Sequence, residues 1–351
     1  MTDDPLNRLI AAAGDRPTAL LAIARTLLAK GKAAPARELA ARAMALAPAD
    51  AEILALGAEI MNAGIHDWHF SIVRDEIRNA AYDAALRRAM RPGMRVLDIG
   101  SGTGLLALMA ARAGAAEVIT CEMNPAIAEA ARKVIAANGY GDRIRVIAKH
   151  SADLDVTKDL GGPVDLLVSE IVSNDMLSEA ALPAHEQAVR RLLKPGARII
   201  PARGTVRAAL AASRKWPERM MGEASGFDLS PFNALQPRRL HMGVGDERIG
   251  LKSDAIDLMD FDFQSGGPFP EGRTQKSLWA EADGANGIIQ WIRLEMDEEG
   301  VYENQPKVGR LSCWAAQFYP FPAGIQVAAG AQVTVHCAHD RLTLRIWADR
   351  E

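Results

Sequence analysis

Residues 96–104 constrain the fold of this 351-residue chain more than any other segment. An apolar run enters a loop in which three glycines alternate with other residues, and a helix-like run over 105–113 follows. Glycine lets a backbone turn sharply and approach a ligand closely, so this pattern predicts a strand, a tight turn and a helix N-terminus. Glu122 ends the next apolar run, where its carboxylate can accept hydrogen bonds from ribose hydroxyls. The combination predicts a ligand-binding edge of a Rossmann-like sheet.

The spacing of Gly100, Gly102 and Gly104 indicates which ligand this edge binds. The pattern is Gly-x-Gly-x-Gly, whereas loops that cradle a dinucleotide pyrophosphate carry Gly-x-Gly-x-x-Gly. We therefore expect S-adenosylmethionine (SAM) rather than a dinucleotide. The alternative is a plain Rossmann turn that binds no ligand.

Composition indicates an ordinary globular protein. The chain is 49% hydrophobic and 24% charged, and its length suits two or three domains. Its net charge of −3 gives no electrostatic argument for nucleic-acid binding. Three cysteines without metal-type spacing predict a reducing, cytoplasmic environment and no metal site. No run of about 18 apolar residues predicts a membrane span, and the acidic N-terminus is unlike a signal peptide.

Residues 1–65 predict an α-helical segment. Apolar residues follow helical spacing over 20–28 and again over 36–43, with a break at Gly31. The stretch 17–48 is similar to a tetratricopeptide repeat, and an incomplete second unit begins near Ala51. The alternative is a simple helical hairpin that caps the next domain.

Residues 66–201 predict a doubly wound parallel sheet. A helix over 66–90 precedes five strands, with helices over 105–113, 125–137 and 179–193; the strands are expected at 95–99, 117–121, 144–148, 164–169 and 197–200. Ligands bind such sheets at the carboxyl ends of the strands, where Gly104, Glu122 and Glu170 should converge.

Residues 202–351 show a different pattern. Short alternating runs separated by Gly and Pro predict an antiparallel β-barrel or sandwich, which the stretch 233–256 interrupts. The predicted fold class is therefore α/β: a Rossmann-like SAM-binding domain followed by a β-barrel domain, with N-terminal helical repeats.

Two carboxylates nine residues apart, Glu170 and Glu179, follow the fourth predicted strand. Two acids can clamp a guanidinium by hydrogen bonds, leave one nitrogen able to attack, and aim it at a methyl group. The alternative is structural, with Glu170 bonded to a backbone amide and Glu179 placed at a helix N-terminus by the helix dipole.

Taken together, the motifs resemble the protein arginine methyltransferase family, most closely its monomethylating (type III) branch. The resemblance spans roughly residues 66–337, and its stretches are 69–82, 96–104, Glu122, 170–179, 181–186, 226–233, 260–263, 287–297 and 312–314. It implies that Glu170 and Glu179 grip the substrate guanidinium and that Trp314 walls the arginine pocket. It also implies a cofactor site, whose expected residues are His69, Arg78, Asp98, Gly100, Gly102, Gly104, Glu122 and Asp153.

Two departures from the family pattern affect these expectations. Cys313 stands where the family has a histidine, and that histidine pairs with the acid that matches Asp75. The histidine–aspartate pair is therefore missing in this chain. Either the pair is dispensable here, or activity is altered. Ile72 replaces a bulky residue near the methyl group, so the product type cannot be carried over. In the family a dimerisation arm lies where this chain has 233–256, and it implies a homodimer.

We therefore expect a SAM-dependent methyltransferase that acts on arginine in a protein or peptide. One rival is a methyltransferase for a small guanidino or amine compound. The other is a weakly active scaffold that binds partners through its helical repeats. Arg78 and Asp75 could also be a surface pair, and Trp314 could be a core residue.

Overall fold

The computed structural model describes residues 5–322 and 324–349. One compact unit ends at His69 and a second begins at Phe70. The helices are α1 (Pro5–Ala13), α2 (Pro17–Ala29), α3 (Ala33–Leu46), α4 (Ala51–Asn62), α5 (Trp68–Ser71), α6 (Glu76–Ala89), α7 (Leu105–Arg112), α8 (Pro125–Ala137), α9 (Ala181–Arg191) and α10 (Lys215–Glu218). The first ten strands are β1 (Arg95–Ile99), β2 (Glu117–Cys121), β3 (Ile144–Ile147), β4 (Val164–Ser169), β5 (Leu193–Ile200), β6 (Arg203–Ser213), β7 (Glu223–Ala224), β8 (Phe227–Asp228), β9 (Leu240–Met242) and β10 (Ile249–Leu251). The others are β11 (Ile256–Asp262), β12 (Gly272–Trp279), β13 (Gly287–Glu295), β14 (Val301–Glu303), β15 (Ala316–Pro320), β16 (Gln332–His339) and β17 (Leu344–Ala348).

The N-terminal unit is a set of packed helices with its own core. Small residues of α3, Ala36, Ala40 and Ala43, are fully buried and allow close helix packing. The α4 helix begins at an Asp50 cap, whose carboxylate accepts from the backbone N–H groups of Glu52 and Ile53. The helices expected over 20–28 and 36–43 are present, while the repeat interpretation stays a prediction.

The first sheet of the second unit is parallel and has the strand order β3-β2-β1-β4-β5. This order is typical of doubly wound α/β folds, which place ligands at the carboxyl ends of the strands. Ile99 pairs with Cys121 on one side and with Ser169 on the other. Gly100, Glu122 and Glu170 therefore follow neighbouring strands at the same edge, where the sequence predicted Gly104, Glu122 and Glu170 to converge.

The helix expected over 66–90 is not continuous. A 3-10 turn over Ile72–Arg74 separates α5 from α6, and the Asp75 carboxylate accepts a hydrogen bond from the Arg78 N–H at 2.9 Å. An aspartate that caps a helix favours an extended backbone at its own position, so it interrupts the helical run. The α9 helix likewise begins at Ala181 rather than 179, because Ala180 adopts a left-handed conformation with φ of 59°.

The C-terminal part of the second unit contains a curled antiparallel sheet that forms a half-barrel. Its central path is β10-β6-β13-β15-β9, and β11 and β14 pair with β6 and β13. A separate three-stranded sheet has the order β12-β16-β17. Trp291 and Phe318 are fully buried in this region. Together the two layouts confirm the predicted fold class, a Rossmann-like sheet followed by an antiparallel barrel.

The departure from the barrel comes earlier than the stretch 233–256. Both β9 and β10 lie within that stretch, yet they pair with barrel strands. Instead α10, the β7–β8 hairpin and a 3-10 helix over Ser230–Leu235 form the excursion, and the hairpin pairs only with itself among the named strands.

Within the described ranges, no helix is long and apolar enough to cross a membrane. The three cysteines are free thiols. Across the same residues, no group of three or more His, Cys, Asp or Glu side chains could hold a metal ion.

Candidate functional site

The glycine loop takes the shape that its sequence requires. Gly100, Gly102 and Gly104 have φ values of 87°, 50° and 83°, a region that other residues rarely adopt. The Glu122 side chain fixes the loop, because its Oε2 accepts a hydrogen bond from the Gly102 N–H at 3.1 Å. Its Oε1 accepts from the Asn124 N–H at 2.9 Å. The loop and the acid thus form one unit at the sheet edge.

Arg78 and Glu170 form a buried ion pair beside this loop. The Arg78 Nη2 donates to Glu170 Oε2 at 2.9 Å, and both side chains are more than nine-tenths buried. Arg78 also lies over the ring of Tyr82, whose hydroxyl donates to the Ser169 carbonyl oxygen at 3.1 Å. Helix α6 and the end of strand β4 are therefore joined at the candidate site, 92 residues apart in sequence.

The electrostatics of Glu170 are unusual. Burial raises its pKa to about 8; the charge of Arg78 opposes this shift, and the negative charges of Glu179 and Asp98 add to it. Burial alone would lower the pKa of Arg78, but the charge of Glu170 raises it overall. A carboxyl group poised near neutral pH in a ligand-binding edge is typical of a functional site.

Glu179 is the second acid of the loop, and its side chain is exposed. It makes no hydrogen bond or ion pair with the described residues. Desolvation by the surrounding protein atoms raises the pKa of Glu179, and the negative charge of Asp175 raises it further. Because the side chain is exposed, solvent screening reduces this shift. Because the charge of Glu179 also raises the pKa of Glu170, the two carboxylates lie within electrostatic range of each other.

The loop that carries these acids is anchored to the barrel. The Trp314 Nε1–H donates to the Val172 carbonyl oxygen at 2.8 Å, and the Ala315 N–H donates to Asn174 Oδ1 at 2.8 Å. The Gln290 side chain donates to the Asn174 carbonyl oxygen at 3.1 Å. Trp314 is 5% exposed, so it supports the loop from within the core.

Asp75 has partners that the sequence analysis missed. Its Oδ2 accepts from the Tyr302 hydroxyl at 2.6 Å and from the Cys313 backbone N–H at 3.0 Å. Burial alone would raise the pKa of Asp75, but these hydrogen bonds and the one from Arg78 lower it. Burial raises the pKa of the Cys313 thiol. No local signal marks Tyr302, because it lies 227 residues from Asp75.

Three other residues predicted to bind the cofactor have different surroundings in the structure. Asp98 is fully buried inside the sheet, where its Oδ2 accepts from the Thr120 hydroxyl at 2.7 Å, and burial raises its pKa to about 7. Asp153 is exposed in a 3-10 turn after β3. His69 lies on α5, and its ring stacks on Trp68 with centroids 3.7 Å apart. Their cofactor roles stay predictions.

The residues present fit a nucleoside that carries a charged amino-acid tail. The Arg78 Nε is buried and has no hydrogen-bond partner among the residues that the structure describes, so it can donate to a carboxylate. Gly102 has open space where a side chain would stand, which leaves its backbone accessible. Each Glu122 oxygen accepts one N–H bond and retains a lone pair for a ribose hydroxyl.

Comparison with known proteins agrees with this geometry. A family profile described as a methyltransferase domain matches residues 96–196. An arginine N(omega)-methyltransferase from Streptomyces achromogenes subsp. streptozoticus is 38% identical over 317 residues, covering 88% of this chain and 87% of the relative. The chain belongs to the arginine N-methyltransferase family. The family resemblance seen in the sequence is thereby confirmed.

Other relatives are protein arginine N-methyltransferases. The protein arginine N-methyltransferase 7 of Drosophila grimshawi is 31% identical over 340 residues, covering 83% of this chain and 47% of that protein. The chain thus spans about half the length of this insect relative. Among solved structures, a Trypanosoma brucei PRMT1 enzyme–prozyme complex with AdoHcy superposes with a TM-score of 0.70 at 20% identity, covering 82% of this chain and 98% of that one. At this identity the match confirms the arginine methyltransferase fold.

Proposed function

We propose that this chain transfers the methyl group of SAM to a guanidino nitrogen of arginine in a protein or peptide. The observation that supports the proposal is the loop after β4, which carries the buried carboxylate of Glu170 and the exposed carboxylate of Glu179. SAM is the cofactor of this reaction, and it supplies an activated methyl group on a sulfonium. Gly100, Gly102 and Glu122 would hold its methionine and ribose.

The two acids would act by orientation and charge rather than as strong bases. Arg78 occupies only Oε2 of Glu170, which leaves Oε1 to accept from a substrate guanidinium. Glu179 makes no competing contact in the described part of the chain, so it can bind a second guanidinium nitrogen. Fixing positive charge on these nitrogens would leave the third one able to attack the methyl carbon in line. The carbon–sulfur bond breaks as the new carbon–nitrogen bond forms, the thioether leaves as S-adenosylhomocysteine, and the methylated nitrogen loses a proton to solvent.

The direct test measures transfer of labelled methyl groups from SAM to arginine-rich proteins, peptides and free guanidino compounds. Glu170→Gln and Glu179→Gln should each abolish labelling, while Glu247→Gln, an exposed glutamate outside the loop, should not. Binding of S-adenosylhomocysteine to each variant reports whether the fold is intact. Label that survives in both loop variants would refute the assigned roles.

A small guanidino compound is the second candidate substrate. The name of the Streptomyces relative specifies arginine without specifying a protein, and that relative matches nearly the whole chain. Label found only on free arginine or another small guanidino compound would favour this candidate. Hydrolysis of labelled material would then show how many methyl groups are added.

We also propose that the chain forms a homodimer through the excursion over residues 215–236. Five large apolar residues are exposed there: Met221, Phe227, Leu229, Phe232 and Leu235. Exposed apolar patches of this kind are typical of interaction sites. Light scattering of the wild-type chain and of a Phe227→Ser/Leu235→Ser variant tests this. A wild-type monomer would refute the proposal.

A further inference from the structure

The Asp75 carboxylate connects two distant parts of the second compact unit. Its Oδ1 caps helix α6 by accepting from the Arg78 N–H, and its Oδ2 accepts from the Tyr302 hydroxyl on strand β14. Asp75 is 6% exposed and Tyr302 is 1% exposed. Hydrogen bonds to a buried carboxylate are short and strong, so this contact restrains the start of the helix that carries Arg78.

The contact belongs to an ordered chain of hydrogen bonds that ends at Trp314. The Trp314 N–H donates to Ser312 Oγ at 3.1 Å, and Ser312 lies 2.8 Å from the Tyr302 hydroxyl oxygen. Since Tyr302 uses its own proton toward Asp75, Ser312 is the donor in that pair. The tyrosine ring also packs edge-on against Trp314, with centroids 5.3 Å apart. The segment from Tyr302 to Trp314 thus holds two elements. Trp314 holds the acidic loop, which is the loop after β4 that carries Glu170 and Glu179, and Tyr302 holds the start of helix α6, which carries Arg78.

We propose that Tyr302 is a positioning residue for methyl transfer, which holds Asp75 and thereby sets the Arg78–Glu170 pair. The tyrosine hydroxyl is the closest donor to Asp75, at 2.6 Å, and it acts beside Cys313, whose backbone N–H and thiol also face that carboxylate. The inference rests on the proposed function, because Arg78 and Glu170 are its cofactor and substrate residues. It assigns to this chain a neutral hydroxyl donor at the carboxylate that the sequence analysis left without a partner.

The electrostatic consequence distinguishes positioning from a structural role. The charged groups that act on Glu170 are Arg78, Glu179 and Asp98, and the titratable side chains of Tyr82 and Cys313 also face it. If Arg78 moves away when Asp75 is released, Glu170 loses its favourable partner and ionises at higher pH. A change in Tyr302 that only destabilised the fold would leave this ionisation where it is.

The experiment compares Tyr302→Phe with Tyr319→Phe in the full chain. Tyr319 is a buried tyrosine of β15 that makes no contact with Asp75, so it controls for loss of a hydroxyl. Tyr302→Phe should lower kcat/KM at least tenfold, weaken S-adenosylhomocysteine binding at least threefold, and move the acid limb of the pH profile upward. Tyr319→Phe should change none of these beyond twofold. Equal losses in both variants, or an unmoved acid limb in Tyr302→Phe, would overturn the proposal.

A double-mutant cycle tests whether Tyr302 acts through Asp75. In an Asp75→Asn background, where the amide oxygen still caps the helix, Tyr302→Phe should cost less than a third of its effect on S-adenosylhomocysteine affinity in the wild type. Additive losses would show that Tyr302 acts independently and would refute the assignment. Because the ligand-binding measurement needs no methyl acceptor, it tests Tyr302 even if no arginine substrate is labelled.

Discussion

The pH dependence of methyl transfer should report the ionisation of Glu170. Its carboxylate must be charged to hold a guanidinium, and its pKa is raised to about 8 by burial and then by Glu179 and Asp98, against the opposing charge of Arg78. At this pKa about one molecule in ten is ionised at pH 7 and about nine in ten at pH 9. Raising the pH from 7 to 9 should therefore increase kcat/KM about tenfold, with a further fall of about tenfold toward pH 6.

The assay follows initial rates with methyl-labelled SAM at subsaturating arginine substrate between pH 6 and pH 10. The substrate guanidinium does not titrate in this range, so the acid limb belongs to the enzyme. Asp98 is the competing assignment, because its pKa is about 7. Asp98→Asn should keep the limb and move it to lower pH, since the charge of Asp98 raises the pKa of Glu170. A profile that is flat from pH 6 to pH 9 would refute the reasoning, and a limb lost in Asp98→Asn would assign it to Asp98.

Three further variants test the surrounding structure. Asp98→Asn should make the free energy of unfolding less dependent on pH. Because its pKa is raised from 3.8 to about 7, the contribution of Asp98 to stability is full below about 3.8 and is lost as the pH rises through about 7, by up to about 4 kcal/mol. The difference between urea unfolding at pH 5 and at pH 9 should therefore be smaller in the variant. Trp314→Phe removes the donor to the Val172 carbonyl and should lower the free energy of unfolding by about 1–3 kcal/mol. It should also raise KM for arginine, while calorimetry should show an unchanged affinity for S-adenosylhomocysteine. A lowered affinity with an unchanged KM would contradict this prediction. Gly104→Ala should lower the thermal midpoint and reduce the free energy of unfolding by about 1–3 kcal/mol, because φ at this position is +83° and the added Cβ would lie 3.2 Å from Ile135. An unchanged midpoint would show that the loop relaxes freely.

The sequence was sufficient for the Rossmann-like sheet because its signals are local. Alternating apolar and helical runs predicted β1, β2 and β4 with the bounds that the structure has. Parallel pairing then places the residues after each strand at one edge, which brought Gly100, Glu122 and Glu170 together. Each step needed only periodicity and strand direction.

The contacts between segments could not be predicted in the same way. The Arg78–Glu170 pair joins a helix to a strand end, and Tyr302 reaches Asp75 across most of the unit. Such contacts depend on how the barrel packs against the parallel sheet, which no short motif encodes. The helix break at Asp75 was missed for a different reason: the apolar spacing of 66–90 outweighed a single capping residue whose effect is local.

The anchoring of the acidic loop has a consequence for redesign. Its middle is held at the main-chain carbonyls of Val172 and Asn174 and through the side chains of Ser173, Asn174 and Asp175. The Ile171 side chain carries no polar atom and is only partly buried. Varying Ile171 would change the surface of the loop without removing these hydrogen bonds. The loop is therefore a natural starting point for selecting variants that accept altered guanidino substrates.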